Sequence, residues 1–233
     1  MSSADRTKAP VGSTRARPPR RSLSREHVAE VALTFIEQNG PEALSMRRLA
    51  EELGIGTMTL YGYFRDKDEL LDAVVDAASA QIEIPSRRGS WKGQIRALME
   101  QIRRTLTEHP IGVLLRLKRP MWSPGALRIS EAGVRILREA GFSKAEAARA
   151  YRSLFSYTFG FAAFSPREVS EEVRRQALAA LAALPQDQYP ALIEASSELA
   201  DAVGGEAQFH HGLDLLLEGL EAKLRAGSDR ASS

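Results

Sequence analysis

Hydrophobic residues recur along most of the chain at the spacing of one face of an α-helix. The first such segment carries them at i, i+3, i+4, i+7 and i+8, as Val28, Val31, Ala32, Phe35 and Ile36. This spacing predicts a helix from Ser24, a good N-cap residue, to about Gln38. No segment shows the strict alternation of apolar and polar residues that a half-buried strand shows. The predicted fold class is therefore all-α.

The same spacing and the positions of Ser, Gly and Pro divide the chain further. Residues 1–22 hold almost no large apolar side chain, so we expect a disordered basic tail there. A break at 84–89 separates a domain at 23–84 from a second helical domain at 85–226, and 227–233 are expected to form a disordered tail. The further predicted helices are one capped by Ser45, then about 56–64, 66–78, 95–108, 111–117, 125–139, 143–164, 166–184 and 206–225.

The stretch SMRRLAEELGIGTMTLYGYFRDK, residues 45–67, has the spacing of a helix-turn-helix. Leu49 and Leu53 lie one helical turn apart, and Ala50 is small where two helices cross closely. Gly54 suits the positive φ of a sharp turn. The second helix then carries hydroxyl and aromatic side chains outward, which suits a major groove with phosphates along its edges.

The distribution of charge supports a directed DNA-binding face, although the formal net charge is only +2. Up to residue 25 the only acid is Asp5, whereas the bases are Arg6, Lys8, Arg15, Arg17, Arg20, Arg21 and Arg25. From 26 to 83 acids outnumber bases, and the bases cluster at the ends of the helix-turn-helix as Arg47, Arg48, Arg65 and Lys67. The N-terminal tail has two readings: an arm along a DNA groove, or a solvated tail that adds only non-specific affinity.

Several classes of protein are disfavoured by what the sequence lacks. There is no cysteine, which excludes disulfides and thiolate metal sites. No apolar run approaches the ~20 residues of a membrane span, and the N-terminus has no apolar signal-peptide region. We therefore expect a cytoplasmic protein without membrane contact. No nucleophile–base–acid set or metal-ligand spacing occurs, so we expect no catalytic residues, no metal, no cofactor and no enzymatic activity.

Three N-terminal stretches, AEVALTFIEQNG, LSMRRLAEELGI and TLYGYFRDKDELL, closely resemble the DNA-binding domain of the TetR family of transcriptional regulators. LREAGFS, FSYTFGF and FHHGLDLLLEGLEAKL resemble the tetracycline-repressor-type C-terminal region. The resemblance implies an N-terminal three-helix helix-turn-helix domain and a larger C-terminal ligand-binding and dimerisation domain. It also implies a homodimeric repressor that a small hydrophobic or amphipathic effector releases from a palindromic double-stranded DNA operator. The alternatives are a DNA-organising protein without effector, and an enzyme or carrier.

Position by position, the resemblance implies specific DNA contacts. The predicted base-reading residues are Arg47, Thr57 and Met58. The predicted phosphate contacts are Ser45, Thr59, Tyr61, Tyr63 and Lys67. The alternative reading of Tyr61 is a core aromatic residue. Gly62 departs from the larger residue that the family often carries there.

In the second domain the family pairs two helices with their copies in a four-helix bundle. The residues predicted for this dimer interface are Tyr151, Phe209, Leu213, Leu216, Leu217 and Leu220; the alternative is that these stripes form the core of one subunit. Gly212 and Gly219, two turns apart, suggest that another helix approaches closely.

Other apolar residues are predicted to enclose the effector, although a filled core is the alternative. They are Met99, Ile102, Leu106, Leu114, Met121, Trp122, Phe155 and Phe159. Tetracycline with magnesium is not the expected effector, because LLRLKRP lacks the family's histidine and FGFAAFS lacks its acid. His210 and His211 are expected at the dimer interface rather than at a metal.

Overall fold

The computed structural model describes residues 23–113, 123–164 and 170–231, and every element assigned within these ranges is helical. The N-terminal domain contains α1 (Arg25–Asn39), a 3-10 turn (Pro41–Ala43), α2 (Met46–Leu53), α3 (Thr57–Tyr61) and α4 (Lys67–Ala80). The C-terminal domain contains α5 (Trp91–Glu108), α6 (Pro124–Glu139), α7 (Lys144–Phe164), α8 (Glu171–Ala182), α9 (Pro190–Glu194), α10 (Ser196–Asp201) and α11 (Gly205–Ala231). The predicted all-α fold is confirmed. Within the described ranges, none of the helices is both long and apolar enough to cross a bilayer.

Side-chain caps explain where most helices begin. The hydroxyl or carboxylate of the N-cap accepts a backbone N–H of the first turn at Ser24, Ser45, Asp66, Ser90, Ser123 and Ser170. Before α7, Ser143 and Glu146 bond reciprocally, each accepting the other's backbone N–H at 3.3 Å. Ser143 and Glu146 lie three residues apart in the sequence, a spacing that predicts this capping box. The spacing of Asp66 and Glu69 predicts a second box, which is incomplete because Glu69 accepts the backbone N–H of Arg65 instead of that of Asp66.

Several segments differ from their predicted bounds, among them α5, which begins at Trp91 rather than near 95. Helix α3 ends at Tyr61, and the residues up to Phe64 continue as a hydrogen-bonded turn rather than as regular helix. Helix α11 extends to Ala231, beyond the predicted end near Arg225, because one interior glycine, Gly227, costs only about 1 kcal/mol and no proline follows it. The proline and glycine residues of 185–205 predict a loose stretch in which 191–202 could form a helical turn or more, and the structure has the short helices α9 and α10 there. The basic tail at 1–22 and most of the predicted helix at 111–117 lie outside the described residues.

Each domain has its own hydrophobic core. In the N-terminal domain, buried side chains of α1, α2, α3 and α4 meet, among them Val28, Leu49, Leu60, Phe64, Leu70 and Val74. In the C-terminal domain, α5, α6, α7 and α11 bury Ile95, Leu98, Met99, Ile136, Leu154, Phe209 and Leu213. The short helix α3 therefore owes its position to Leu60 and its neighbours rather than to its own length.

Helices α4 and α6 join the two domains through a reciprocal cap. Asp76 on α4 accepts the backbone N–H of Gly125 in the first turn of α6 at 2.6 Å. Arg128, one turn further, donates to the carbonyls of Ser79, Ala80 and Ile82 at 3.2, 3.3 and 2.9 Å. An anion thus meets a helix N-terminus and a cation meets a helix C-terminus, the favourable direction for both helix dipoles. This junction couples the position of α4 to that of α6.

The two glycines that suggested a close helix approach have different surroundings. A Cβ on Gly212 would lie 2.7 Å from Cζ of Tyr157, whose hydroxyl donates to the carbonyl of Phe209 at 2.9 Å. Within the described part of the chain, a Cβ on Gly219 would meet nothing within 4 Å. Gly212 is therefore required inside the subunit, where α7 packs against α11, whereas Gly219 faces outward.

We expect Gly212→Ala to lower the free energy of unfolding by about 1–3 kcal/mol, because the added methyl group overpacks against the Tyr157 ring. Urea unfolding followed by circular dichroism measures the loss as a lower midpoint at unchanged slope. Gly227→Ala is the matched control, since a Cβ there, unlike one at Gly212, meets no described atom within 4 Å and alanine favours helix. Equal midpoints for wild type and Gly212→Ala would contradict this account of the helix contact.

Candidate nucleic-acid interface

The turn between α2 and α3 has the geometry that the sequence predicts. Gly54 adopts φ 65° and ψ 34°, the left-handed conformation, and caps α2. The backbone N–H of Ile55 then donates to the carbonyl of Ala50 at 3.0 Å. Glycine reaches this conformation without the steric cost that a side chain would add. The turn fixes α3 across α2, with Leu49 and Leu60 buried between them.

Helix α3 presents its predicted reading residues to solvent. The side chain of Met58 is 81% exposed, Thr59 is exposed, and Thr57 is half-buried at the start of the helix. Tyr61 is 45% exposed, so it lies on the surface and not in the core. In a major groove, the hydroxyl groups can hydrogen-bond to base edges and the Met58 side chain can pack against a thymine methyl group.

Two arginines lie at the edges of this surface. The Arg47 side chain is largely exposed, and its Nε approaches only Glu51 on the next turn, at 3.7 Å. Arg65 is also exposed and pairs with Glu69 at 3.1 Å. Such solvent-exposed ion pairs contribute little to stability, so an arginine can exchange its carboxylate partner for a phosphate or a base. Both guanidinium groups are therefore available to DNA at small cost.

Three of the residues predicted to contact phosphates make side-chain hydrogen bonds within the N-terminal domain. The Ser45 hydroxyl accepts the backbone N–H of Arg48 at 3.2 Å as the cap of α2. The Tyr63 hydroxyl donates to the carbonyl of Leu23 at 3.1 Å. Lys67 donates from Nζ to the carbonyl of Leu44 at 2.7 Å. Their phosphate contacts stay predictions, and substituting any of them also removes a bond that positions α2, α3 or α4.

Arg25 has a role that the sequence did not reveal. Its guanidinium lies 4.3 Å from the centre of the Phe64 ring, pairs with Glu69 at 3.0 Å and donates to the carbonyl of Tyr63. Glu69 also accepts hydrogen bonds from the backbone and side chain of Arg65, which, with the Arg25 pair, lower the pKa of its carboxyl group. In the sequence Arg25 looks like one more basic residue of the N-terminal tail, because its partners lie about 40 residues further along the chain.

The structure places four of the six residues predicted for the dimer interface inside the subunit. Phe209, Leu213 and Leu217 are buried inside the subunit. Tyr151 is buried between α6 and α7, where its hydroxyl donates to Oγ of Ser130 at 3.1 Å. The apolar stripe of α11 packs with residues of α5 and α7 of its own chain, as the alternative reading, a subunit core, describes. Leu216 and Leu220 are only partly buried, at the edge of that core.

The opposite side of α11 is exposed and partly apolar. Leu215 is 58% exposed, and His211, Gly219 and Ala222 lie exposed on the same face at intervals of four, four and three residues. The side chain of His210 turns away from this face and lies 3.4 Å from Glu100 and 3.5 Å from Glu206. Among the described residues, no group of three or more His, Cys, Asp or Glu side chains is arranged to hold a metal ion.

The predicted effector residues are only partly within the described structure. Met99 and Ile102 are buried in the C-terminal core, whereas Leu106, Phe155 and Phe159 are partly buried. Phe155 and Phe159 stack on each other, with ring centres 6.1 Å apart. The remaining three, Leu114, Met121 and Trp122, lie outside the described residues. The effector pocket therefore stays a prediction.

A separate open cleft of about 980 Å³ lies where α1 and α4 meet the first turn of α6. Its walls carry more acids than bases, including Glu26, Glu37, Asp72 and Asp76. His109 lies at its edge, bonded through Nδ1 to Glu37 and through Nε2 at 3.4 Å to Gln81. These bonds form a second polar link between the two domains.

Two family models match the chain. The one described as "Bacterial regulatory proteins, tetR family" covers residues 29–74, which include α2, α3 and the turn between them. The one described as "Tetracyclin repressor-like, C-terminal domain" covers residues 85–224. The gap between the two matches, 75–84, covers the end of α4 and the start of the segment that leads to α5.

Single proteins that are similar to the chain are also transcriptional regulators. The chain is 32% identical to an HTH-type transcriptional regulator of Saccharopolyspora erythraea, over 86% of this chain and 85% of that protein. It is 30% identical to the HTH-type transcriptional repressor DrrR1 of Streptomyces coeruleorubidus, over 91% of this chain and 82% of the repressor. Among solved structures, the TetR family protein ActR of Streptomyces coelicolor in complex with actinorhodin superposes with a TM-score of 0.74. That alignment has 26% identity and covers 87% of this chain and 98% of ActR.

Proposed function

Because the chain belongs to the tetR family of bacterial regulatory proteins, we propose that it is a cytoplasmic, non-catalytic repressor that a hydrophobic or amphipathic effector releases from a palindromic operator. It is a ligand-responsive, DNA-binding transcriptional regulator that acts as a homodimer. The observation that carries the proposal is the exposed face of α3, held across α2 by the left-handed turn at Gly54. A dimer presents two such helices, so the half-sites should be centred about 34–36 Å apart or a multiple of that spacing.

A mobility-shift experiment tests the function. The DNA is the region upstream of the gene, or a sequence that the protein selects from a random pool, and wild type should shift it as a dimer. The probe for release is actinorhodin, the molecule that ActR holds in its solved structure. Tetracycline with magnesium is the second probe and should not release this protein. A protein that binds no selected sequence in preference to random DNA would sink the proposal.

We expect Arg47→Ala to relax sequence preference at one base pair in each half-site. The exposed guanidinium can bond to guanine in two places, which is worth roughly 1–3 kcal/mol of discrimination. Selection of binding sites from a random pool measures the effect as lost preference at that position. Glu42→Ala, an exposed change on the 3-10 turn, is the control and should return the wild-type site. The same site and affinity for Arg47→Ala would remove Arg47 from the base-reading residues.

The proposed effector site is the predicted apolar set around Met99, Phe155 and Phe159. Two observations support it: aromatic rings stack in this part of the C-terminal domain, and the similar ActR structure holds a small molecule, actinorhodin. An apolar site with few charges favours a molecule held by shape and by one or two polar anchors. The predicted Met121 and Trp122 precede α6 in the chain by only a few residues.

The junction between α4 and α6 is the proposed route from effector to DNA. A ligand beside the start of α6 shifts that helix end, and the bonds of Asp76 and Arg128 carry the shift to α4. Helix α4 follows α3 directly, so its tilt sets the separation of the two α3 helices in the dimer. For release, the ligand must bind the DNA-incompetent arrangement more tightly than the competent one.

The proposed subunit contact is the outward face of α11, centred on Leu215 and Gly219, together with Leu216 and Leu220 at its edge. Gly219 leaves room for a close helix approach, and no atom of the described residues lies within 4 Å of a Cβ built there. An exposed leucine beside a glycine on a long helix is a typical seam for a helix from a second copy.

A further inference from the structure

We propose that the effector is an organic anion and that Arg103 on α5 binds its acidic group. The inference rests on the proposed function, because it assigns a chemical class to the effector of the proposed site around Met99, Phe155 and Phe159. Three features of the structure carry it: the missing carboxylate partner of Arg103, the aromatic rings beside its guanidinium, and its position on α5.

Arg103 differs from the other half-buried arginines of the described ranges, because it has no carboxylate partner. Those others form the ion pairs Arg96–Asp214, Arg135–Glu139 and Arg174–Asp201. Arg103 forms no ion pair with a described residue, and its buried Nε has no hydrogen-bond acceptor among them. Buried charged donors are almost always hydrogen-bonded. The guanidinium is therefore placed to bind an acceptor that the described part of the subunit does not supply.

A row of polar contacts between α5 and α11 shows why Arg103 lacks an acid. The contacts are Lys92–Glu221, Arg96–Asp214 and Glu100–His210. The α5 members are four residues apart, and Arg103 follows Glu100 by three, so it continues the row along the same side of the helix. At this level α11 presents the Phe209 ring, 4.9 Å from the guanidinium carbon. The acids on either side, Glu100 and Glu206, both face His210, at 3.4 and 3.5 Å.

The surroundings of the Arg103 guanidinium are aromatic. The Phe209 ring is fully buried, stacks on Tyr157 with ring centres 5.6 Å apart, and meets the Phe161 ring edge-on at 5.3 Å. Burial also raises the pKa of the Tyr157 hydroxyl, so that group stays neutral. Opposite charges attract each other more strongly in such surroundings than in water. Because folding has already removed part of the guanidinium from water, an anion that reaches it gains this attraction.

Arg103 lies on the side of α5 that carries residues predicted for the effector site. Met99 precedes it by four residues and Leu106 follows it by three, so the three side chains lie along one side of the helix. Met99 is buried and Leu106 is partly buried. An apolar ligand body packed against these two residues brings an acidic group close to Arg103. The planar guanidinium can hold a carboxylate through two parallel N–H···O bonds, which favours an aromatic acid over a neutral or cationic effector.

Two dyes that fluoresce in apolar sites, and that differ by one group, test the proposal. Anilinonaphthalenesulfonate carries a sulfonate in place of the effector's acidic group, and N-phenylnaphthylamine is the same molecule without it. Fluorescence titration of the full-length protein measures both dissociation constants. Arg103→Gln should raise that of the sulfonate dye by about tenfold or more, the usual loss for a hydrogen bond to a charged group, and leave that of the neutral dye unchanged. Arg103→Lys keeps the charge without the planar fork, so its loss should be smaller.

Arg104→Gln is the matched control, because Arg104 is the next residue of α5, is exposed, and carries the same charge. It should bind both dyes as wild type does. Unchanged binding of the neutral dye and an unchanged circular dichroism spectrum show that Arg103→Gln remains folded. Equal affinity of wild type and Arg103→Gln for the sulfonate dye would overturn the assignment. An equal loss in Arg104→Gln, or no binding of the sulfonate dye to wild type, would overturn it as well.

Operator binding separates this inference from the proposed function. Arg103 lies on α5, outside the N-terminal domain, so Arg103→Gln should shift operator DNA in the absence of effector with the affinity of wild type. A wild type that binds no operator refutes the proposed function, whatever the dyes show. A wild type that binds operator but does not lose sulfonate affinity on Arg103→Gln refutes only the anionic effector.

Discussion

Leu215→Arg is expected to dissociate the dimer and abolish high-affinity operator binding. In the free subunit Leu215 is 58% exposed and lies on the outward face of α11, so the arginine costs the isolated subunit little. In the proposed seam it places an unpaired charge where water is excluded, which costs several kcal/mol. That corresponds to a rise of about 100-fold or more in the dimer dissociation constant. Operator binding falls with it, because a single α3 reads only one half-site.

Sedimentation velocity over a range of protein concentrations measures the change in dimer affinity. Leu127→Arg is the matched control, since Leu127 is a 46% exposed leucine on the described helix α6. The control should remain a dimer with wild-type thermal stability. A Leu215→Arg protein that sediments as wild type does would show that subunits associate through another face.

Sequence periodicity located the apolar stripe of α11 but did not identify the surface that covers it. Phe209 and Leu213 are spaced as residues on one buried face of a helix are. That spacing is the same whether the face is covered by helices of the same chain or by a second subunit. Only the positions of α5 and α7 show that these side chains belong to the subunit core. The two glycines illustrate the same limit, because Gly212 packs on Tyr157 and Gly219 faces outward.

The helix-turn-helix could be predicted closely because its determinants are local. Ser45, Gly54 and Asp66 act through bonds that span a few residues, so their types and spacing predict the caps and the turn. The end of α3 was less predictable, since a five-residue helix depends on tertiary packing of Leu60. Long-range contacts such as those of Arg25 and Arg128 leave no periodic signal. Both arginines read from the sequence as ordinary surface charges.

Arg128→Gln is expected to uncouple the C-terminal domain from the DNA-binding helices. The substitution removes the cation that holds three carbonyls at the end of α4, while leaving the hydrophobic cores intact. Helix α4 then tilts independently of α6, and the two α3 helices of the dimer no longer keep one separation. A typical coupling free energy is about 1–3 kcal/mol, so an effector typically lowers DNA affinity by roughly 5–150-fold. In Arg128→Gln we expect the effector to lower DNA affinity by less than about threefold.

Spin labels on Met58→Cys measure this separation directly, because the sequence contains no other cysteine and Met58 is 81% exposed. The distribution of distances between the two labels should be narrow in the Met58→Cys dimer and broad in the dimer that also carries Arg128→Gln. Arg135→Gln is the control: Arg135 lies on the same helix and bonds to Glu139 at 3.2 Å, so its loss should leave the distribution narrow. The matching affinity measurement, on unlabelled protein, uses any probe that releases wild type, with actinorhodin tried first. If Arg128→Gln keeps both the narrow distribution and the full response to that probe, the reciprocal cap between α4 and α6 is not the route from effector to DNA.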